Sequence, residues 1–330
     1  MKHLVLVLVL VLVLGCPSSP AEKSVTVYCA ADREFAEGLF QAFEKETGVR
    51  VDAKWDTEAN KTTGLGQAIK EEQNRPRCDV FWDNELLQTL LLVKQGALAP
   101  LPKELSGRSP VHGDSWIGFA ARARVLLVNT AVVATADRPR SVRDLADARW
   151  KGRTGIANPI FGTTQDHVAA LFAKLGEDEG KKLLAAFKAN EIAICAGNAD
   201  VKNRVSSGEL AFGVTDTDDA NEALSDGKPV TIVFPDQDGL GTLLLPNALA
   251  IVTGAPHPAE AAALVSWLAS AKGEEPLAKG PGVHLPLLGA GPRPAIFPEG
   301  LKTMDVTWED VARAAPAARE AVQKVLLTNQ

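Results

Sequence analysis

The sequence is poor in the residues that usually announce metal or nucleophile chemistry. Tyr28 is its single tyrosine, it has two methionines, and aromatic residues make up 5% of its 330 positions. One tyrosine excludes any site built on several phenolates. Histidine is also scarce: there are five, and none stands at metal-site spacing from another His or from a Cys. HExxH, GxSxG, Walker and GxGxxG motifs are absent, which removes the familiar protease, esterase, NTPase and dinucleotide signatures. Positive charge is not in excess. The formal net charge is -6, and a nucleic-acid partner would want a basic face instead. Cysteine is limited to Cys16, Cys29, Cys78 and Cys195. With Cys16 set aside, the odd number leaves at least one free thiol. Cys29 falls late in one expected strand and Cys78 at the start of another. In a parallel sheet those are opposite ends, too distant for a bridge, so buried free thiols are expected.

Long apolar runs are missing too, with one informative exception. Leu4–Leu14 is an unbroken Leu/Val stretch of eleven residues, short of the roughly 20 needed to span a bilayer. Lys2 precedes it, and Val13-Leu14-Gly15-Cys16 closes it. A positive start, a short apolar core and a small residue before the cut describe a signal peptide. The ending resembles the bacterial lipoprotein box, which implies that residues 1–15 are removed, that Cys16 is lipidated, and that 16–23 form a linker. An ordinary signal peptide with an incidental cysteine is the alternative.

What remains alternates. Ser24–Cys29, Val49–Trp55 and Asp79–Trp82 read as strands. Arg33–Thr47, Thr62–Asn74 and Glu85–Gln95 read as the helices between them. Trp116–Asn129 is a long strand-like stretch carrying Arg122 and Arg124. A second series follows, with strands at Thr154–Ala157, Ile192–Cys195, Leu210–Val214, Val230–Phe234 and Leu243–Val252, and a last helix near Val311–Leu327. Strand–helix alternation calls for mostly parallel α/β sheets. Two such series joined by crossover strands predict two lobes around a cleft. The first is expected over 24–120 with 240–290 returning to it, the second over 121–239 with 291–330 packed on it.

Several stretches together resemble the periplasmic ferric-iron-binding proteins of the type II solute-binding fold. They are Val25-Thr-Val-Tyr-Cys with Phe35–Gly48, Asp79-Val-Phe-Trp, the Trp116–Thr130 crossover, Ala157-Asn-Pro-Ile-Phe-Gly-Thr-Thr, and Ser207–Asp216. The resemblance covers nearly all the chain after the leader. It implies a solute-binding subunit of an ABC importer, with a membrane permease as partner and a hinged cleft. It also implies an anion loop at Thr163 and Thr164 with Asn198. The departure is at the iron ligands. Adjacent tyrosines are usual in the family where this chain has Asp218 and Asp219, and Asp32 and Asn84 match two further ligand positions.

The candidate ligands all lie at or just beyond expected strand ends, where α/β sheets bind solutes. Asp216, Asp218 and Asp219 are the candidate metal set, since hard cations take several carboxylate oxygens. The same residues would also serve as favourable charges at a helix start. With a reference pKa near 4, they are expected to be ionised already at neutral pH. Asp32, Thr57, Glu58, Lys61, Asn84 and Glu85 are candidate contacts from the first lobe, although Asp32 would serve equally as an N-cap. Arg122 and Arg124 alternate, so they share a strand face and are candidates to pair with an anion at Thr163, Thr164 and Asn198, where free N–H groups at a helix start favour negative charge. A solvated strand face is the ordinary alternative for the arginines, and capping is the ordinary role for Thr163.

The expected function is therefore capture of a metal ion, ferric iron among the candidates, with or without a companion anion. No obligatory cofactor, no enzymatic activity, no nucleic-acid partner and a monomer are expected. Location is expected to be extracytoplasmic and lipid-anchored. A small organic solute, such as a polyamine-like cation or a phosphonate, keeps the importer role with another cargo. An extracytoplasmic enzyme or sensor on the same fold is a third reading.

Overall fold

The computed structural model describes residues 23–55, 61–289 and 291–328. Cys16 and the leader, Thr57 and Glu58 lie outside the described residues, as does the side chain of Lys61. Among the described residues no helix is long and apolar enough to cross a membrane.

The strands are β1 (Ser24–Cys29), β2 (Arg50–Trp55), β3 (Val80–Asp83), β4 (His112–Gly113), β5 (Trp116–Asn129), β6 (Thr154–Ala157), β7 (Ala193–Cys195), β8 (Phe212–Asp216), β9 (Val230–Val233) and β10 (Leu244–Ile251). The α-helices are α1 (Arg33–Thr47), α2 (Lys61–Glu71), α3 (Leu86–Lys94), α4 (Gly162–Leu175), α5 (Glu177–Ala189), α6 (Asn198–Ser206), α7 (Thr217–Ser225), α8 (Pro258–Leu268), α9 (Ala271–Lys279) and α10 (Trp308–Ala321). Local sequence accounts for most of them. In α1, Ala36, Leu39, Phe40 and Phe43 bury one stripe, and Gly48 ends the helix in the left-handed conformation with its N–H on the Glu44 carbonyl. Helix α9 breaks its own signals. Gly273 and Pro276 read as a loop, yet Ser270 caps the helix through the Lys272 N–H and Glu274 anchors it from within.

The sheet order is β2-β1-β3-β10-β5-β8-β6-β7, with β4 and β9 also on β5. The outer strands pair in parallel, β2-β1-β3 on one side and β8-β6-β7 on the other. The two crossover strands, β5 and β10, run antiparallel to their neighbours. The result is a two-lobed α/β molecule. Strand β5 is buried along its whole length; its first part pairs with β10 and its second part with β8 and β9. Strand β10 stays paired as far as Ala123 and β8 takes over at Arg124; within the β10 pairing β5 is interrupted at Ala120, which has φ 43°. There the Ala120 N–H donates to Glu274 (2.8 Å), its carbonyl accepts from the Asn247 amide, and Ala121 pairs with Leu285. A register shift in β10 between Leu245 and Asn247 lies opposite.

Helix α10 packs on α4 and α5 and also reaches α3, so it spans the two lobes on one side. Cys78 and Cys195 are buried free thiols, and Cys29 is buried with its Sγ 3.8 Å from the Ala31 carbonyl oxygen. Trp55 and Trp82 both pack on Phe40, with ring centroids 5.8 Å away in each case, and Trp82 also meets Phe119. They close the core and do not line the cleft.

Candidate functional site

The carboxyl ends of β1, β3, β6, β7 and β8 converge on one cleft of about 620 Å³. Asp32 follows β1, Asn84 and Glu85 follow β3, Thr163 and Thr164 open α4, Asn198 opens α6, and Asp216, Asp218 and Asp219 bridge β8 and α7. Every one of these lines the cleft. Arg122 lines it too, while Arg124 lies behind, fully buried.

The centre of the arrangement is Asp216, which is fully buried. Its Oδ1 accepts from Arg124 Nη1 at 2.6 Å. Its Oδ2 accepts from Thr163 Oγ1 at 2.8 Å, Asn198 Nδ2 at 3.0 Å and Arg122 Nη1 at 3.2 Å. Arg124 also donates to Thr163 Oγ1, Asn198 Oδ1 and Thr164 Oγ1 at 3.0–3.1 Å. Arg122 donates to Asp218 Oδ2 at 3.3 Å and, across the cleft, to the Asn84 carbonyl at 2.5 Å. The arginines do share a face, and both are engaged with carboxylates, not with solvent.

Asp216, Asp218 and Asp219 offer carboxylate oxygens within 4.8 Å of one another. Their electrostatics differ. Burial would raise Asp216, but Arg124 and Arg122 outweigh it and hold the carboxyl below its ordinary value. Burial pushes Asp218 up to about 6 against the pull of Arg122. Burial, then the charges of Asp218 and Asp216, push Asp219 well above the carboxylate range. The three carboxyls are therefore not equivalent. The protein interior penalises a third adjacent negative charge, so Asp219 holds a proton more tightly than a solvated carboxyl does, and a cation beside it would favour its release. Arg122 itself is raised: burial works against its charge, and Asp218 and Asp216 more than offset it.

A second acidic group lies below the first. Asp83 accepts from the Glu85 N–H and from both the N–H and hydroxyl of Thr89. Asp166, on α4, accepts from the Leu86 N–H at 2.9 Å and so caps α3 from the opposite lobe. Burial, then the Glu85 charge, raises both Asp83 and Asp166 well above the ordinary range. Asp166 escapes sequence reasoning because Thr163-x-x-Asp166 looks like an ordinary capping pattern of its own helix. Arg319, which lines the cleft from α10 and donates to the Ile160 carbonyl, had no signal at all, since α10 lies over a hundred residues away in sequence. Tyr28 points away from the cleft: its hydroxyl donates to Glu72 at 2.9 Å and Lys54 sits over its ring.

Comparison with known proteins gives a consistent result. The family described as bacterial extracellular solute-binding protein matches residues 38–290. The Fe(3+)-binding periplasmic protein of Serratia marcescens is 27% identical over 310 residues, covering 91% of this chain and 89% of the relative. The major ferric iron-binding protein of Neisseria meningitidis serogroup A is 28% identical over 275 residues, covering 79% of this chain and 80% of the relative. Among solved structures, iron-bound HitA from Pseudomonas aeruginosa superposes with a TM-score of 0.81 at 24% identity, covering 91% of this chain and 99% of that one.

Proposed function

The chain belongs to the bacterial extracellular solute-binding proteins, and from that premise we propose that it captures a metal cation in the interlobe cleft and hands it to a membrane permease of an ABC importer. The observation that carries the reading is the pair Asp218 and Asp219 at the cleft wall, whose oxygens converge with those of the already engaged Asp216 within 4.8 Å. Hard cations prefer such oxygen donors, and the relatives named above bind ferric iron. The role is capture and delivery without catalysis. Asp32 and Glu85, from the other lobe, face the same cleft and would complete the coordination as the lobes close.

A second reading, a small organic cation, is favoured by the size of the cleft. About 620 Å³ is room for roughly 20 waters at about 30 Å³ each, far more than a bare ion occupies. A phosphonate fits less well, because the guanidinium of Arg124 and one nitrogen of Arg122 already face carboxylates. Lipidation at Cys16, an extracytoplasmic location and a monomeric state belong to the same proposal, supported by the apolar run that stops at Gly15-Cys16.

Elemental analysis and native mass spectrometry of protein purified without chelators test the cargo. Metal binding should be lost, by at least about 100-fold, when Asp218→Asn and Asp219→Asn are combined, with the fold kept. Ferric iron, if bound, should give no phenolate charge-transfer band in the visible. A strong band, or undiminished metal binding in the double variant, would place the site elsewhere.

A further inference from the structure

The sequence reading put a free anion at Thr163, Thr164 and Asn198, and the geometry points to a different occupant. We infer that Asp216 is a built-in counter-anion: its carboxylate fills the anion pocket made by Arg124, Thr163 and Asn198, so the cleft takes its cation without a free companion anion. The inference deepens the metal-capture reading by assigning Asp216 a positioning and charge role in place of a ligand role.

Four donors converge on this one carboxylate: Arg124 Nη1, Thr163 Oγ1, Asn198 Nδ2 and Arg122 Nη1. A carboxylate has about four lone-pair sites, so little of Asp216 remains for a cation. The donors are themselves fixed. Thr163 Oγ1 accepts from Arg124 and Asn198 while donating to Asp216, and Asn198 presents its amide nitrogen to Thr163 and Asp216 and its oxygen to Arg124. This closed set permits one orientation of each side chain. It also leaves Arg124 with one charged partner among the described residues. The other acceptors there on its guanidinium are the neutral oxygens of Thr163, Thr164 and Asn198, and its Nε is buried with no hydrogen-bond partner among them. Arg124 is wholly buried, and a guanidinium cannot neutralise itself by losing its proton. Deleting the Asp216 carboxylate therefore leaves a buried positive charge lined by three hydrogen-bonding groups beside an open cleft. That is a receptor for a small oxyanion.

The test is rescue of Asp216→Ala by formate, the size of the missing group, and by inorganic phosphate, with no metal in any arm. Thermal unfolding of the full chain after its leader is followed at rising anion concentration. The variant's midpoint should climb by about 5 °C or more as the anion saturates, and the combined Asp216→Ala, Arg124→Gln variant should lose that response. Wild type should shift by less than about 1 °C beyond a chloride control at the same ionic strength. A wild-type response as large as the variant's would overturn the proposal, and so would a folded Asp216→Ala that ignores both anions. Should the variant not fold even with formate or phosphate present, the wild-type arm decides. Since no arm contains metal, failure of the metal reading would leave this result unchanged.

Discussion

At the residue scale, burial decides which charged groups keep their charge. His167 and His284 are both pushed down to about 3, first by burial and then by the nearby arginines Arg124 and Arg122 respectively. His284 stacks edge-on against Phe35, and its Nδ1 is buried with no hydrogen-bond partner among the described residues. The unfolded chain takes up a proton at His284 near pH 6.5 and the folded chain does not until about pH 3. Between those limits the unfolded state binds more protons, so this group's contribution to stability falls as the pH falls. Wild type should accordingly lose ground to His284→Gln by about 2 kcal/mol between pH 7.5 and pH 5, measured as the difference of their denaturant midpoints at each pH. A gap that stays constant would mean that His284 titrates in the fold as it does in the unfolded chain. Residues of this kind were partly legible beforehand. Asp218 and Asp219 could be found because they stand directly after a strand end. The upward shift of Asp219 could not, because it arises from the depth of the site and from the charges of Asp218 and Asp216 beside it, which only the fold brings together.

At the scale of elements, the break in β5 depends on a partner far away in sequence. The carboxylate of Glu274, on α9, is fully buried and accepts from the N–H groups of Ala120, Leu287 and Leu288 at 2.8–3.0 Å. It thus pins two of the chain segments that pass between the lobes. A Gln in its place offers one oxygen and turns an amide donor toward N–H groups that need an acceptor. Glu274→Gln should therefore cost about 1–3 kcal/mol, read by chemical denaturation, whereas a loss under about 0.5 kcal/mol would show that the bonds are replaceable. Strand β5 itself was legible to the residue as Trp116–Asn129, since a run this apolar has few alternatives. Helix α9 was not. Its Gly273 and Pro276 carry loop signals, and Gly273 is held where an added Cβ would sit 2.0 Å from the Leu268 carbonyl oxygen. Tight packing against α8 selects the glycine there, and helix propensity does not.

At the scale of the whole molecule, the two lobes share strands at the hinge and a helix at the side. The Asp166 cap on α3 joins groups from opposite sides of the cleft, and Arg122, on a crossover strand, ties the Asn84 carbonyl to Asp216 and Asp218. The Asp166 contact favours the approach of the lobes, and a cation held between them as proposed would add to that bias. Small-angle scattering should record a smaller radius of gyration when the cargo saturates the protein. An unchanged radius with saturating cargo would mean that the cleft binds without moving. The two-lobed plan could be read from alternation alone. The bridging position of α10 could not, because its apolar stripe does not reveal which helices it will meet.

The polarity of β1 carries a consequence for how the molecule hangs from a surface. Its carboxyl end, running into Asp32, opens on the cleft, so Ser24 at its other end sits on the floor of the lobe, about 20 Å away by strand rise. If Cys16 holds a lipid, the leash between it and Ser24 leaves from that floor, and its eight steps span at most about 29 Å. A tether rooted underneath would leave the mouth facing outward, toward arriving cargo. Delivery mouth-down onto a permease would then require the body to turn over within the reach of that length. Pickup and delivery would then be opposite attitudes of one tethered body, and leash length would limit the passage between them.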